Sequence, residues 1–303
     1  MAYFRGSKVV IDWHNYGYSI LAQKTLLRPF VPIYRFYEML FGRYLADANL
    51  AVTDAMNKQL SGEMYKMPAP VHTLHDRPAA IFQPIESSKE REAVLIRIPE
   101  TRLVAKDIVD GNLRLIVSST SWTPDEDFGL LLDALVDYGK AMSEPIPPVP
   151  VLAIITGKGP QQKEYIEKIR VLQDAGKLPG VRVLTAWLSN RDYAALLAAA
   201  DLGISLHKSS SGVDLPMKVV DMFGAGLPVA AYSNFESFGE LVKENTNGCG
   251  FTDAEELSGI LYRLLSDDGA KELARLKKGA VKEGSLRWDE EWDRVVAKVI
   301  EFV

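Results

Sequence analysis

The run Ser209-Ser210-Ser211-Gly212, followed by Asp214, Pro216, Lys218 and Asp221, holds the residue types that bind a diphosphate ester. Pro216 suits the first turn of a helix, where its missing N–H would have no partner in any case. Free backbone N–H groups at such a helix start, together with the positive end of the dipole, make an anion site. Lys218 and Asp221 are three residues apart and so share a helix face. A lysine there neutralises phosphate, and a carboxylate one turn in accepts the two hydroxyls of a ribose. A lone Lys-x-x-Asp would be an ordinary solvated pair. The serine run, the proline and the Gly224-Ala-Gly-Leu-Pro228 exit together favour a nucleotide diphosphate.

A second candidate is Gly157-Lys158-Gly159-Pro160, at a strand-to-helix turn. Its glycines let backbone approach a phosphate closely, and Lys158 is long enough to reach a pyrophosphate. A plain turn is the default for Gly-x-Gly, but the company of the 209–221 stretch favours phosphate contact. Asp125-Glu126-Asp127 has the outward form of an Asp-x-Asp metal motif, yet it opens a helix, where acidic residues favour the dipole. No metal is expected there. Arg28–Tyr44 interleaves Phe30, Tyr34, Phe36, Tyr37, Phe41 and Tyr44 with Arg28, Arg35 and Arg43. That mixture suits a bilayer interface, and much of it would equally serve a domain core.

The elements that must hold these groups alternate regularly. From residue 113, short apolar runs (113–117, 149–156, 181–184, 202–206, 228–231, 250–251) predict strands. Between and after them lie helix-period segments at 125–141, 165–172, 190–200, 216–225, 235–243 and 254–265. Such alternation predicts an α/β fold with a parallel, doubly wound sheet, whose ligands bind beyond the carboxyl ends of the strands. Residues 1–85 give a shorter version: strands near 9–11, 48–52 and 71–74, a mostly helical 18–44 and a helix over 54–64. Residues 86–112 read as a linker with short irregular structure. Trp292, Val295, Val296, Val299 and Val303 make an amphipathic stripe on a last helix that must dock on something. The expected domains are 1–85, the linker 86–112, a nucleotide domain 113–285 and a returning C-terminal helix 286–303.

The bulk composition sets limits. The 303 residues suffice for two cores, and 47% hydrophobic with 25% charged residues is a globular balance. A net charge of −5 argues against a nucleic-acid partner. One cysteine, Cys249, permits no internal disulfide, and with four histidines it offers no zinc-ligand spacing. No apolar run is long enough to span a bilayer, and the first eight residues do not read as a signal peptide.

The 207–229 stretch resembles the donor-binding signature of the chitobiosyldiphosphodolichol β-mannosyltransferase family. So do Asp12–Leu21, Ser118–Phe128, Ile155–Pro160, Ala186-Trp-Leu188 and Arg287–Trp292, in order along almost the whole chain. The resemblance implies a GT-B architecture, two Rossmann-like domains facing across a cleft, here with the N-terminal one incomplete. It implies further residues ahead of Asp12 in the family, carrying an anchor and the first part of the acceptor domain. It implies inverting transfer of mannose from GDP-mannose to dolichol-diphosphate-linked chitobiose, with no cofactor beyond the donor. The implied setting is the cytoplasmic face of the endoplasmic reticulum membrane, peripheral in this form, beside other mannosyltransferases of the pathway. His14 and Asp12 are the implied catalytic pair, with Asp76 a further candidate base. The donor-binding set is Gly157, Lys158, Gly159, Ser209, Ser210, Ser211, Gly212, Asp214, Lys218, Asp221 and Glu240, the last more readily an exposed helix glutamate. The rival readings are a truncated, non-catalytic GDP-sugar binder and a soluble transferase with another acceptor.

Overall fold

The structure, a computed structural model, describes residues 7–302. The opening residues weighed above as a leader, and Val303 of the last apolar stripe, lie outside the described residues. Two all-parallel sheets organise the chain. The first comprises β1 (Val10–Trp13), β2 (Ala48–Ala51) and β3 (Val71–Thr73), in the order β1-β2-β3. Helices α1 (Gly17–Ala22) and α2 (Val31–Leu45) cross from β1 to β2, and α3 (Asp54–Ser61) crosses from β2 to β3. The expected long helix over 18–44 is interrupted by a 3-10 turn at Thr25–Phe30 that contains Pro29. The ring of a proline removes a donor and clashes with the preceding turn.

A helical pair, α4 (Ser88–Arg97) and α5 (Ala105–Asp110), then leads to the second sheet. This corrects the expectation of an irregular linker over 86–112. Ser87 caps α4 by accepting a hydrogen bond from the Glu90 amide, 3.2 Å away. Ser87-x-x-Glu90 is a capping-box spacing, so the helix start was readable. Leu95, Ile98, Ala105 and Ile108 are buried, and Arg91 reaches Asp201 at 2.7 Å. The segment thus belongs to the body of the second domain.

That domain continues as β4 (Arg114–Ser119), α6 (Phe128–Lys140), β5 (Val151–Thr156), α7 (Gln162–Asp174), β6 (Val181–Ala186) and α8 (Asn190–Ala199). It then runs through β7 (Leu202–Ser205), α9 (Met217–Gly224), β8 (Val229–Tyr232), α10 (Phe238–Leu241) and β9 (Gly248–Phe251). The helices α11 (Ala254–Leu265), α12 (Ala270–Gly284) and α13 (Trp288–Phe302) complete it. The sheet order is β6-β5-β4-β7-β8-β9. Strands β4 and β5 are continuous buried apolar runs because helices cover both faces of a parallel sheet. The chain winds outward from β4 to β6, then reverses to β7 on the other side of β4. Such a reversal opens a crevice at the carboxyl ends of the two strands, the place where doubly wound sheets bind ligands.

Helix α12 was not anticipated. Its apolar stripe is Leu273, Leu276, Ala280 and Gly284, and its small end lets it approach α9 closely. A Cβ at Gly284 would lie 1.9 Å from the Phe223 carbonyl oxygen. Helix α13 packs back on the first sheet, with Val296 and Val299 buried against Ala48, Leu50 and Leu74. Arg77, after β3, bridges Glu283 and Glu291 at 3.2 and 3.5 Å, tying the two lobes together. Among the described residues no helix is long and apolar enough to cross a membrane.

Candidate functional site

Two cavities of about 280 and 290 Å³ lie side by side at the carboxyl ends of β4 and β7, and Lys218 lines both. The first is walled by His14 and Asp76 from one domain and by Ser121, Glu126, His207, Asp214 and Met217 from the other. The second is walled by Ser119, Thr156, Gly157, Trp187, Tyr193 and Asp221. A cation thus stands where the two chambers adjoin.

Helix α9 starts at Met217 with Pro216 as its N-cap residue, and no side chain caps it. The Met217 and Lys218 amides precede the first intrahelical bond, which Val219 donates to the Pro216 carbonyl. They line the first cavity beside the Lys218 ammonium. Lys218 Nζ donates to Ser121 Oγ at 3.1 Å and is paired with the carboxylate of Glu126. Glu126 is only 4% exposed and also accepts from Thr120 Oγ1 and the Ser121 amide. Asp127 caps α6 through the Gly129 amide and pairs with Lys208 at 3.0 Å. Glu126 and Asp127 therefore have their charges committed to a lysine-holding loop and a helix cap, while Asp125 lines the first cavity.

Asp221, one turn into α9, accepts no side-chain hydrogen bond from the described residues and faces the second cavity. Burial pushes its carboxyl up to about 6. Ser119 Oγ and Tyr193 OH, 2.9 Å apart, lie in the same wall. Gly157 and Gly159 are dictated by packing. A Cβ on Gly157 would sit 1.8 Å from the Thr120 carbonyl oxygen, and one on Gly159 1.7 Å from that of Ser121. Gly157 also has φ +122°, where only glycine is comfortable. Their absent side chains let the β5–α7 turn rest on the loop that carries Ser121. Lys158 Nζ lies 4.3 Å from the ring centroid of Trp187, which is 65% exposed at the cavity rim.

The serines are placed differently from a simple phosphate cradle. Ser209 donates to Asp214 and accepts from the Gly212 amide at 2.7 Å. Ser210 Oγ meets Asn15 Nδ2 at 3.3 Å and Ser19 Oγ at 3.0 Å, both in the first domain. Ser211 accepts from the Val213 amide at 3.4 Å. Asp214 accepts from Asn15 at 3.0 Å and pairs with His207 at 3.1 Å. Burial pushes its carboxyl up, but the His207 hydrogen bond and charge, with Ser209, hold it below the ordinary carboxylate range. This loop is a latch between the lobes, and the Gly212 carbonyl accepts the Glu236 amide at 2.9 Å.

His14 follows β1 and faces α9 across the first cavity. Its Nε2 is 3.0 Å from Asp12 Oδ2 and its Nδ1 3.6 Å from Asp76 Oδ2. The hydrogen bond to Asp12 and the carboxylate of Asp76 beside the ring, against some burial, push the imidazole up to about 10. His14 is therefore a cation at neutral pH. Asp76 is 7% exposed, and among the described residues its Oδ2 meets no donor within hydrogen-bond range, His14 Nδ1 standing beside it at 3.6 Å. Glu240 lies elsewhere: its carboxylate accepts the Asp54 and Ala55 amides at 2.6 and 2.8 Å, at the start of α3, and meets His75 at 3.1 Å. It lines neither cavity and is not an exposed helix glutamate. Burial pushes its carboxyl up, but these partners hold it below the ordinary range. Asp54, His75 and Glu240 bring ligand atoms within 4.8 Å of one another, the one such trio among the described residues. Each is already engaged, Asp54 with Thr73 at 2.6 Å and the other two with each other.

Sequence reasoning passed over Glu126, Trp187 and Asn15. Nothing about Glu126 in the acidic run set it apart from its neighbours. Trp187 and Asn15 stood inside resembling segments but were given no role.

The model of the family "Glycosyl transferases group 1" matches residues 115–267. Named chitobiosyldiphosphodolichol beta-mannosyltransferase, a relative from Arthroderma benhamiae is 51% identical over 99% of this chain and 67% of its own length. Relatives of the same name from Mus musculus and Debaryomyces hansenii are each 41% identical, with 97% and 98% of this chain covered and 65% and 63% of their own. The chain thus spans about two thirds of the length of the curated relatives it matches. In three dimensions it is similar to the Anabaena protein HepE, solved with UDP and glucose, at TM-score 0.71 and 17% identity. That match covers 100% of this chain and 73% of the other. The sucrose-phosphate synthase of Thermosynechococcus elongatus gives TM-score 0.71 at 13% identity, over 99% and 69%. Both likenesses support the GT-B fold, and the sequence matches show that the chain belongs to the chitobiosyldiphosphodolichol beta-mannosyltransferase family of group 1 glycosyl transferases.

Proposed function

We propose that this chain moves mannose from GDP-mannose to dolichol-diphosphate-linked chitobiose, with inversion, at the cytoplasmic face of the endoplasmic reticulum. The observation that carries the proposal is Lys218, which lines both cavities with Asp221 on one side and the His14–Asp76 pair on the other. In this reading the nucleoside occupies the second cavity. Asp221, which has no side-chain partner among the described residues to give up, accepts hydrogen bonds from the ribose hydroxyls. The Trp187 face backed by Lys158 offers a stacking surface for the base.

The diphosphate lies at the start of α9, against the Met217 and Lys218 amides and the Lys218 ammonium. Mannose then projects into the first cavity. The acceptor hydroxyl oxygen forms its bond to the anomeric carbon as the bond to the β-phosphate oxygen breaks, and GDP leaves with the electron pair. Negative charge grows on that oxygen, where Lys218 and the two amides stand. The hydroxyl proton passes to a carboxylate. We assign this to Asp76, which lines the cavity with a buried oxygen that accepts no hydrogen bond from the described residues and has His14 beside it. His14, held as a cation between Asp12 and Asp76, is unsuited to take a proton and instead orients Asp76. Asp12 holds His14. No metal has a role in this scheme.

The test is transfer of labelled mannose to phytanyl-diphospho-chitobiose, with binding of GDP-mannose by calorimetry run in parallel. Binding with product formation supports the proposal. Binding without transfer favours a non-catalytic binder, and absence of binding refutes the donor site.

A further inference from the structure

Helix α2 is fifteen residues long, yet only Gly42 is buried. It rests on the body through that glycine, whose absent side chain admits Met67 and Trp13. The 3-10 turn before it buries nothing. Leu26, Phe30, Ile33, Phe36, Tyr37 and Tyr44 stand exposed over these two elements, with Leu26 at 91% and Tyr44 at 70%. Single exposed apolar residues are ordinary, but a continuous apolar and aromatic face marks an interaction site.

The exposed charges within this segment have one sign. Between residues 18 and 46 the ionised groups are Lys24, Arg28, Arg35, Arg43 and a single acid, Glu38. Glu38 is turned inward, accepting the Gly17 and Tyr18 amides at 2.7 and 3.1 Å. Arg43 also turns inward, donating to the Tyr65 carbonyl at 2.6 Å, and Arg35 lies over the Tyr18 ring, so the exposed charges of the patch are the cations Lys24 and Arg28, on a chain whose net charge is −5. Arg28 and Lys24 lie on its exposed rim. Tyrosines and phenylalanines above an apolar stripe, flanked by arginine and lysine, match the headgroup boundary of an anionic bilayer.

We propose that the face formed by residues 26–44 docks on an anionic lipid surface, lying in its plane without spanning it. The unit follows β1 through α1, against which it packs closely: a Cβ on Gly17 of α1 would meet the Tyr34 ring at 2.6 Å. Docking through it holds the His14–Asp76 cavity beside the lipid boundary. This inference does not depend on the transferase reading, since it concerns adhesion and not turnover.

The experiment is co-sedimentation of the purified chain with vesicles of phosphatidylcholine alone and of phosphatidylcholine with phosphatidylserine. The expected result is binding to the mixed vesicles, weakened by salt. Phe36→Glu combined with Tyr44→Glu should lower it by about tenfold or more, since two aromatic anchors are lost. Lys24→Glu with Arg28→Glu should abolish the preference for phosphatidylserine. All four side chains point to solvent, and thermal melting checks that the variants remain folded. A chain that stays in the supernatant, or variants that bind as the parent does, overturns the inference. So does a concentration-dependent dimer broken by Phe36→Glu without vesicle binding, which would assign the face to a second copy of the chain.

Discussion

Replacing Lys218 by alanine should weaken GDP binding, and the structure says by how much and through which second residue. An ammonium about 4 Å from a phosphate charge, at an effective dielectric of about 20, interacts by roughly 4 kcal/mol. The net loss is smaller, because free Lys218 is already paired with Glu126 and that pairing must loosen when a diphosphate enters. A net cost of about 1–3 kcal/mol is expected, or about five- to 150-fold in Kd. The lysine's partner adds a further effect. In Lys218→Ala, the buried carboxylate of Glu126 is left with Thr120 and Ser121 as its partners and opposes the incoming diphosphate. Adding Glu126→Gln should therefore restore about 1 kcal/mol of GDP affinity, and Glu126→Gln alone should tighten binding slightly. Calorimetric titration of the four proteins with GDP closes this double-mutant cycle. An unchanged Kd in Lys218→Ala refutes the phosphate assignment. A Glu126→Gln change that deepens the Lys218→Ala loss refutes the competition between carboxylate and phosphate.

Further outcomes follow from other groups. Asp221 has a folded-state pKa raised to about 6 by burial, so its ionisation opposes folding, and the favourable contribution of its neutral form is lost as pH rises through about 6. Asp221→Asn should raise the melting temperature at pH 7.5 by about 2–4 °C while weakening GDP binding; a lower melting temperature with intact binding would contradict this. His14 is also raised, to about 10, so its stabilising contribution is full below pH 6.5 and disappears as pH climbs through about 10. The gap in denaturation midpoint between the parent and His14→Asn should shrink over that range, and a constant gap would refute the two-carboxylate clamp. Gly159→Ala would drive a Cβ against the Ser121 carbonyl and should cost about 1–3 kcal/mol in urea unfolding, with weaker GDP binding from the displaced Ser121 loop. Glu240→Ala should lower stability by about 1–2 kcal/mol, because the Asp54 and Ala55 amides at the start of α3 lose their acceptor while the Thr53 cap remains, and leave the GDP Kd unchanged.

Much of the doubly wound domain could be read from sequence because its strands are local, continuous apolar runs and its helices keep a clean period, as at Val151–Ile155 and Phe128–Leu135. The placing of Lys218 and Asp221 on one helix face was legible for the same reason. What escaped depends on contacts distant in the chain. Glu126 becomes the partner of Lys218 only when loops 92 residues apart meet, and Glu240 caps a helix 185 residues away. The serines of 209–211 looked like a phosphate cradle because hydroxyl spacing does not say which side a loop faces; two of them face the other domain's Asn15 and Ser19 or the latch residue Asp214. Helix α4 was legible through Ser87-x-x-Glu90, but its weak apolar stripe hid it. The burial of the Asp76 oxygen beside His14 is a property of the assembled cleft and leaves no trace in local sequence.

The central claim is that transfer occurs where Lys218 and Asp76 face each other across the cleft. The most direct test is the rate of mannosyl transfer from GDP-mannose to phytanyl-diphospho-chitobiose by the parent chain and by Asp76→Asn. The account predicts β-linked product from the parent, and in Asp76→Asn a kcat lower by about 10²–10⁴-fold with GDP-mannose binding retained. An Asp76→Asn protein that turns over at the parental rate would contradict it.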